Sequence, residues 1–300
     1  MAHVLVNGPA SWNMLVSVAQ LPDGRPQTVF ATGHRRTLGG TSAGKALTLA
    51  RLGVQVTLRT ALGDDDDARH IRTALEHPQI RLIAPPAHGT SEHHVNLMAD
   101  DGGRLSVYLD LPPDPGPPTS AVHEALRTAD AVVLDLAQHS RELIPLARAA
   151  HVPLWCDVHD YDGEGEFHRD FVEAADVLVL SGAQLDDPES YLAQRVAAGT
   201  RWAVCTQGAR GAVGFGRDEG RWVVDAVPSG DVVDANGAGD AFVAGMLAAH
   251  LHGLPLDTAL RWGAAAGSLA VRSAELASPE ISSDQVERLA ELAIVRRATR

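Results

Sequence analysis

Apolar residues along this chain fall in short consecutive runs, separated by stretches with helical spacing. Strand candidates fall at 4–6, 54–58, 131–136, 152–157, 177–180, 202–205, 212–215 and 222–227, many of them apolar at successive positions, the pattern of strands covered on both faces. Between and after them, a period near 3.6 predicts helices at 43–52, 66–76, 120–128, 141–149, 167–174, 188–198, 238–252, 256–272 and 283–296. Strands alternating with helices predict an α/β fold: a mainly parallel sheet sandwiched between helical layers.

Two early segments break the rhythm. Residues 12–31 alternate weakly around the turn LPDGRP. Residues 92–109 (EHHVNLMADDGGRLSVYL) alternate cleanly on both sides of DDGG, which predicts a hairpin with one polar face. Segments of about 12–35 and 91–111 would then form a small β-sheet lid on a three-layer α/β/α core, within one domain over 1–300. The Pro-rich stretch 111–120 reads as a stiff connector back to the core. Such a sheet is a natural cover for a ligand cleft, the lesser alternative being a pair of surface hairpins.

Composition narrows the function. The 300 residues carry a formal net charge of −13, which disfavours nucleic acid and anionic membranes as partners. No run approaches the roughly 20 apolar residues that span a bilayer, so a cytoplasmic protein is expected. Cys156 and Cys205 lie in apolar runs and predict buried free thiols. His88, His93 and His94 are the only loose cluster among fourteen histidines. Neighbours in a strand point to opposite faces, so no metal site is expected from them.

Two glycine-rich stretches carry candidate chemistry. GGTSAGKA at 39–46 is one residue from a phosphate-binding P-loop. Ala46 stands where the loop needs a hydroxyl for magnesium, and the charged GHRRTL before it is no buried strand. It reads instead as a Gly-Gly turn opening a helix, where the backbone approaches a ligand closely. The second stretch, VVDANGAGDAFVAGML at 232–247, places Gly237, Ala238 and Gly239 before a long helix, with Asp240 in its first turn. Free amides at a helix N-terminus bind anions. A carboxylate beside them would accept the proton of an attacking hydroxyl in phosphoryl transfer, or would simply complement the helix dipole.

The second stretch resembles the C-terminal signature of the ribokinase-like (PfkB-type) carbohydrate kinase family, D-T-x-G-A-G-D-x-F-x-x-G, through Asp234, Gly237, Ala238, Gly239, Asp240, Phe242 and Gly245. The first resembles that family's G-G-x-x-x-N-x-A-x-x-L-A-x-L-G through Gly39, Gly40, Ala46, Leu49, Ala50, Leu52 and Gly53. ALGDDDDARHI at 61–71 and TQGARGAVGF at 206–215 are similar to further landmarks in the right order. The resemblance implies an ATP- and Mg2+-dependent kinase acting on a hydroxyl of a small sugar or sugar-containing metabolite. It makes Asp240 the general base and gives the amides of Gly237, Ala238 and Gly239 the anion hole. Thr206, Gly208 and Gly211 would lie along ATP, and Gly39 and Gly40 against the substrate.

Departures from the family pattern fall on substrate and ion residues. Asn13 stands where an Asp usually holds substrate hydroxyls. Gly44 replaces the substrate-binding Asn, and Lys45 beside it would either hold an anionic substrate group or face solvent. Ser181 to Gln184 occupy the place of an N-x-x-E motif tied to magnesium water, so the acidic charge is missing. The 157–161 segment, DVHDY, falls where the family often places cleft residues. A nucleoside kinase of the same fold and a degenerate metabolite-binding sensor are the alternatives, and a homodimer through the small sheet is a further expectation.

Overall fold

The structure is a computed structural model and describes residues 1–85 and 87–297. Its backbone is organised by two sheets. The strands in chain order are β1 (His3–Asn7), β2 (Ser11–Val18), β3 (Gly33–Gly39), β4 (Gln55–Arg59), β5 (Ile80–Ile83), β6 (His93–Ala99) and β7 (Arg104–Asp110). They continue as β8 (Ala131–Asp135), β9 (Leu154–Asp157), β10 (Val177–Ser181), β11 (Trp202–Thr206), β12 (Ala212–Gly216), β13 (Gly220–Val224) and β14 (Val295–Arg297). The helices are α1 (Thr41–Arg51), α2 (Asp66–Ala74), α3 (Ser120–Thr128), α4 (Leu143–Ala149), α5 (Arg169–Ala174), α6 (Pro188–Ala197), α7 (Ala238–Leu251), α8 (Leu256–Ala270) and α9 (Ser283–Leu292).

The large sheet runs in the order β14-β13-β12-β11-β10-β9-β8-β1-β4-β5. From β11 to β5 neighbouring strands are parallel, while β12, β13 and β14 continue antiparallel at one edge. Successive residues of β1 feed opposite layers, as a two-faced strand must. Val4 and Val6 pack with residues of α1, α7 and α8, and Leu5 packs with Val122, Leu126 and Phe171 from the α3 and α5 side. This is the three-layer α/β/α core that the alternation predicts. The small sheet has the order β3-β2-β6-β7, with β2 and β6 parallel and the outer pairs antiparallel. Among the described residues, no helix is long and apolar enough to cross a membrane. Cys156 and Cys205 are buried and free.

Three local expectations need correction. The helix expected through 296 stops at Leu292, and Val295–Arg297 pairs with β13; edge pairing of this kind leaves no mark in helical periodicity. The run 80–83 is a strand on β4 that the pattern did not single out. The charged residues before Gly39 form β3, a strand of the small sheet. Its arginines are tolerated there because each meets a carboxylate, Arg35 with Asp234 and Arg36 with Asp67.

Helices α7 and α8 approach closely through glycine. A Cβ on Gly245 would stand 2.6 Å from the Trp262 carbonyl oxygen, and one on Gly263 would stand 2.9 Å from that of Phe242. Backbone atoms cannot yield as side-chain ends do, so overpacking here should cost about 1–3 kcal/mol. Gly245→Ala is therefore expected to lower the urea midpoint without changing the slope of the transition.

Candidate active site

Chain order reverses between β1 and β8: β4 and β5 extend the sheet on one side, and β8 to β11 extend it on the other. In open α/β sheets the crevice beyond the carboxyl ends of the strands at such a point is where ligands bind. Asn7, Asp135 and Asp157 are the last residues of β1, β8 and β9, and all three are buried. Asn7 Nδ2 donates to Ser140 Oγ at 2.8 Å, and Arg59 at the end of β4 donates to Asn7 Oδ1 at 3.1 Å.

Helix α7 starts over this crevice. Gly237 precedes it with φ 79°, in the left-handed region, and a Cβ there would collide with the Leu276 carbonyl oxygen. Only glycine suits that position. The faces of Gly239 and Gly208 are open, with nothing within 4 Å of a Cβ placed there. Among the described residues the amides of Gly237 and Gly239 meet no acceptor, whereas that of Ala238 already donates to the Ala235 carbonyl at 3.3 Å. The expected three-amide anion hole is thus reduced to two unengaged donors in this conformation.

Asp240 lies in the first turn of α7 and is 8 % exposed. Its Oδ1 is 2.7 Å from Lys45 Nζ. The same ammonium is 2.8 Å from Asp135 Oδ1 and 3.0 Å from Asp157 Oδ2, and Lys45 is fully buried. The expectation that Lys45 faces solvent is therefore corrected: its ammonium is buried and paired within the protein. Its three N–H donors are matched by three protein carboxylates. Burial works against the charge of Lys45, but the three carboxylates outweigh it and raise its pKa well above the usual lysine value. Burial pushes Asp240 up to about 6, with Asp135 adding to the rise and Lys45 and His159 opposing it. Burial also disfavours the charged form of Asp157, yet His159 and Lys45 hold it below the usual carboxylate range.

Gly44 touches the same group. A Cβ there would stand 2.9 Å from Asp240 Oδ2, so the missing Asn is what lets α1 and the Asp240 carboxylate meet. Ser42 Oγ donates to Asp135 Oδ2 at 2.6 Å. His159 has φ 51°, a conformation that non-glycine residues seldom adopt. Its carbonyl accepts from Ser181 N at 2.7 Å, and its Nδ1 lies 3.4 Å from Asp157. Asp157 and His159 belong to the DVHDY segment expected at the cleft, whereas Asp135 and Ser42 were not singled out as site residues in the sequence. The one available signal was an acid ending an apolar strand, in AVVLD and LWCD.

The small sheet supplies the other wall. Asn13 is buried, and its Oδ1 accepts from His94 N at 3.2 Å. A Cβ on Gly39 would collide with the Asn13 side chain, and one on Gly40 (φ 91°) would stand 2.5 Å from the Pro9 carbonyl oxygen. These two glycines are thus required by the protein's own packing, which brings β3 and the start of α1 against β2. Glu92, His94 and Asn96 are buried on or beside β6, and His94 Nε2 is 2.9 Å from Glu92.

On the opposite rim, Thr206 Oγ1 donates to the Leu180 carbonyl at 3.4 Å, and Gly208 is exposed. Gly211 has φ 94°, and a Cβ there would collide with the Val224 carbonyl oxygen, so strand packing accounts for that glycine. Ser181 is half-buried and Gln184 exposed. Neither supplies the carboxylate favoured by magnesium. Asp135, Asp157 and His159 bring ligand atoms within 4.8 Å of one another, but Lys45 already binds both acids. These residues do not fit a protein-held magnesium ion.

A helix start with two unengaged amides, a buried carboxylate and a switch-point crevice are an arrangement compatible with a kinase acting on small molecules. The comparisons agree. The family model described as pfkB family carbohydrate kinase matches residues 168–282. The acarbose 7(IV)-phosphotransferase of Actinoplanes sp. is 31% identical over 272 residues, covering 89% of this chain and 91% of that protein. An ATP-dependent ribose-1-phosphate kinase of Halopiger xanaduensis is 29% identical over 278 residues, covering 90% and 92%. The solved structure of a microbiome-derived acarbose kinase superposes with a TM-score of 0.83 at 29% identity, covering 97% of this chain and 99% of that one. The chain belongs to the PfkB family of ribokinase-like carbohydrate kinases and is an ATP-dependent small-molecule kinase.

Proposed function

We propose that the enzyme phosphorylates a hydroxyl of a neutral, sugar-like acceptor of the acarbose type, with Asp240 as general base. The observation that carries the chemistry is the buried Asp240 carboxylate at the start of α7, next to amides that are not engaged. Asp240 takes the hydroxyl proton as the acceptor oxygen bonds to the γ-phosphorus and the bond to ADP breaks. The amides of Gly237 and Gly239 meet the charge on the transferred group, where preorganised donors contribute most. ATP, lying along Thr206 and Gly208, supplies the phosphoryl group.

Charge supports the neutral acceptor. Around the crevice, Lys45 in its triad of acids, Arg35 with Asp234 and Arg104 with Asp160 have acid partners within the chain, and Arg59 beside Asn7 donates to the neutral oxygens of Asn7, His139 and Gly116. A sugar phosphate would find no free partner among the three acid-paired cations. Asn13, Glu92, His94 and Asn96 instead offer hydrogen bonds suited to hydroxyls. The acarbose-directed names of two relatives point the same way. Coupled ADP release measured with acarbose, ribose, ribose 1-phosphate and adenosine tests this. Turnover of acarbose above the other three is expected; turnover confined to the sugar phosphate or the nucleoside overturns it.

The pH profile follows from the base. Asp240 must be ionised to accept a proton, and its pKa is pushed up to about 6. Activity is therefore expected to be full well above that pH. Log kcat/KM should fall toward unit slope below about pH 6, as the carboxylate protonates.

A further inference from the structure

We infer that Lys45 is a positioning residue of the transfer reaction, holding the Asp240 carboxylate in place from α1 while Gly44 leaves the space for it. The inference rests on the reading of Asp240 as the base and adds to it the group that makes that base competent.

Two independent features of neighbouring residues converge on one carboxylate. Lys45 Nζ binds Asp240 Oδ1 at 2.7 Å, and the absent Gly44 side chain clears the approach to Oδ2. Oδ1 is thereby fixed, and Oδ2 is the oxygen left to accept a proton. All three Lys45 donors are used within the protein, so the residue acts on the acceptor only through Asp240.

The cluster is also short of positive charge. One ammonium serves Asp135, Asp157 and Asp240. The charged groups facing Asp240 are Lys45 from α1, Asp135 from β8, and Asp157 with His159 from β9 and the turn after it. Burial alone would keep Asp240 protonated near neutrality; the adjacent ammonium opposes this, and the Asp135 carboxylate competes for the same ammonium. A positioning role therefore makes two changes act in opposite directions. Loss of Lys45 should make Asp240 a weaker acid, and neutralising Asp135 should make it a stronger one.

The experiment is kcat/KM against pH for wild type, Lys45→Met and Asp135→Asn, by ADP release with the best acceptor of the four-compound panel. For Lys45→Met the half-activity pH is expected to rise by about one unit or more, which is about fivefold lower activity at pH 6 and about tenfold lower well below it, with recovery toward pH 9. For Asp135→Asn it is expected to fall. Unchanged half-activity pH in both variants, or shifts in the same direction, overturn the inference, because a merely structural ion cluster would change yield and stability without moving the limb. Lys45→Met leaves three buried acids without their cation and is checked for folding by circular dichroism. Should it not fold, Asp135→Asn decides alone: no downward shift sinks the proposal. Asp240→Asn separates the two readings, since full activity in that variant would refute Asp240 as base, whereas an inactive Asp240→Asn with unmoved limbs refutes only the role of Lys45.

Discussion

Asp240→Asn is expected to lower kcat about 10²–10⁴-fold, the usual contribution of a positioned general base, equivalent to about 3–5 kcal/mol of barrier. The substitution keeps the shape of the side chain. Its Oδ1 still accepts from Lys45 Nζ, so the 2.7 Å contact survives in weakened form. What is lost is the capacity to take a proton. KM for both substrates should change little, because no binding role is assigned to this carboxylate. A kcat within about threefold of wild type would exclude Asp240 as the base. Stability provides the control. The pKa of Asp240 is raised in the folded state, so ionising it opposes folding as pH rises through about 6. The Asn variant removes that penalty and also weakens one of the three acid contacts of Lys45. An unchanged or modestly shifted melting temperature with a collapsed kcat is the expected signature.

How much of this site could be read from the sequence depends on how its residues are distributed. Gly237, Gly239 and Asp240 are nearly consecutive, and one turn of backbone brings them together, so their pattern alone suggested anion binding beside a base. The acid cluster was not legible, because residues 45, 135, 157 and 240 come from four elements. Asp135 and Asp157 each end an apolar strand, and only the sheet order places them side by side beneath α7. Lys45 misled for a physical reason. Ser42, Lys45 and Thr48 recur every third residue on α1, which reads as a polar face turned to water. All three are buried, because α1 packs against both the large sheet and α7, and Ser42 and Lys45 reach the acids at the strand ends. The fold was legible wherever strands are covered on both faces. It was obscured at β3, β5 and β14, which are short or partly exposed and owe their pairing to tertiary contacts.

Gly44→Asn restores the residue that the family signature carries, and it is expected to damage this enzyme, lowering kcat by about 10²-fold, the scale of loss from an ångström of misplacement at a reacting group. The Cβ alone would stand 2.9 Å from Asp240 Oδ2, 3.1 Å from its Cβ and 3.2 Å from its Cγ. Real Cβ atoms do not come that close, and the obstacle is a short side chain at a helix start with little room to retreat. Either the carboxylate rotates away from Lys45 or α1 moves from α7. Both outcomes separate the ammonium from the base it holds. The folding cost should be modest, because Asn is a tolerable helix residue and the clash involves one side chain. The informative measurement is therefore kcat beside the melting temperature, in the single variant and in Gly44→Asn combined with Lys45→Gln. With the ammonium replaced by a shorter, neutral amide, nothing demands that Asp240 sit against α1. The double variant should then lose less than the product of the two single losses, as coupled neighbours do. Strict multiplicativity would mean that Gly44 and Lys45 act on different groups. That result would remove the steric half of the argument while leaving the hydrogen bond between Lys45 and Asp240 to be judged on the pH profile.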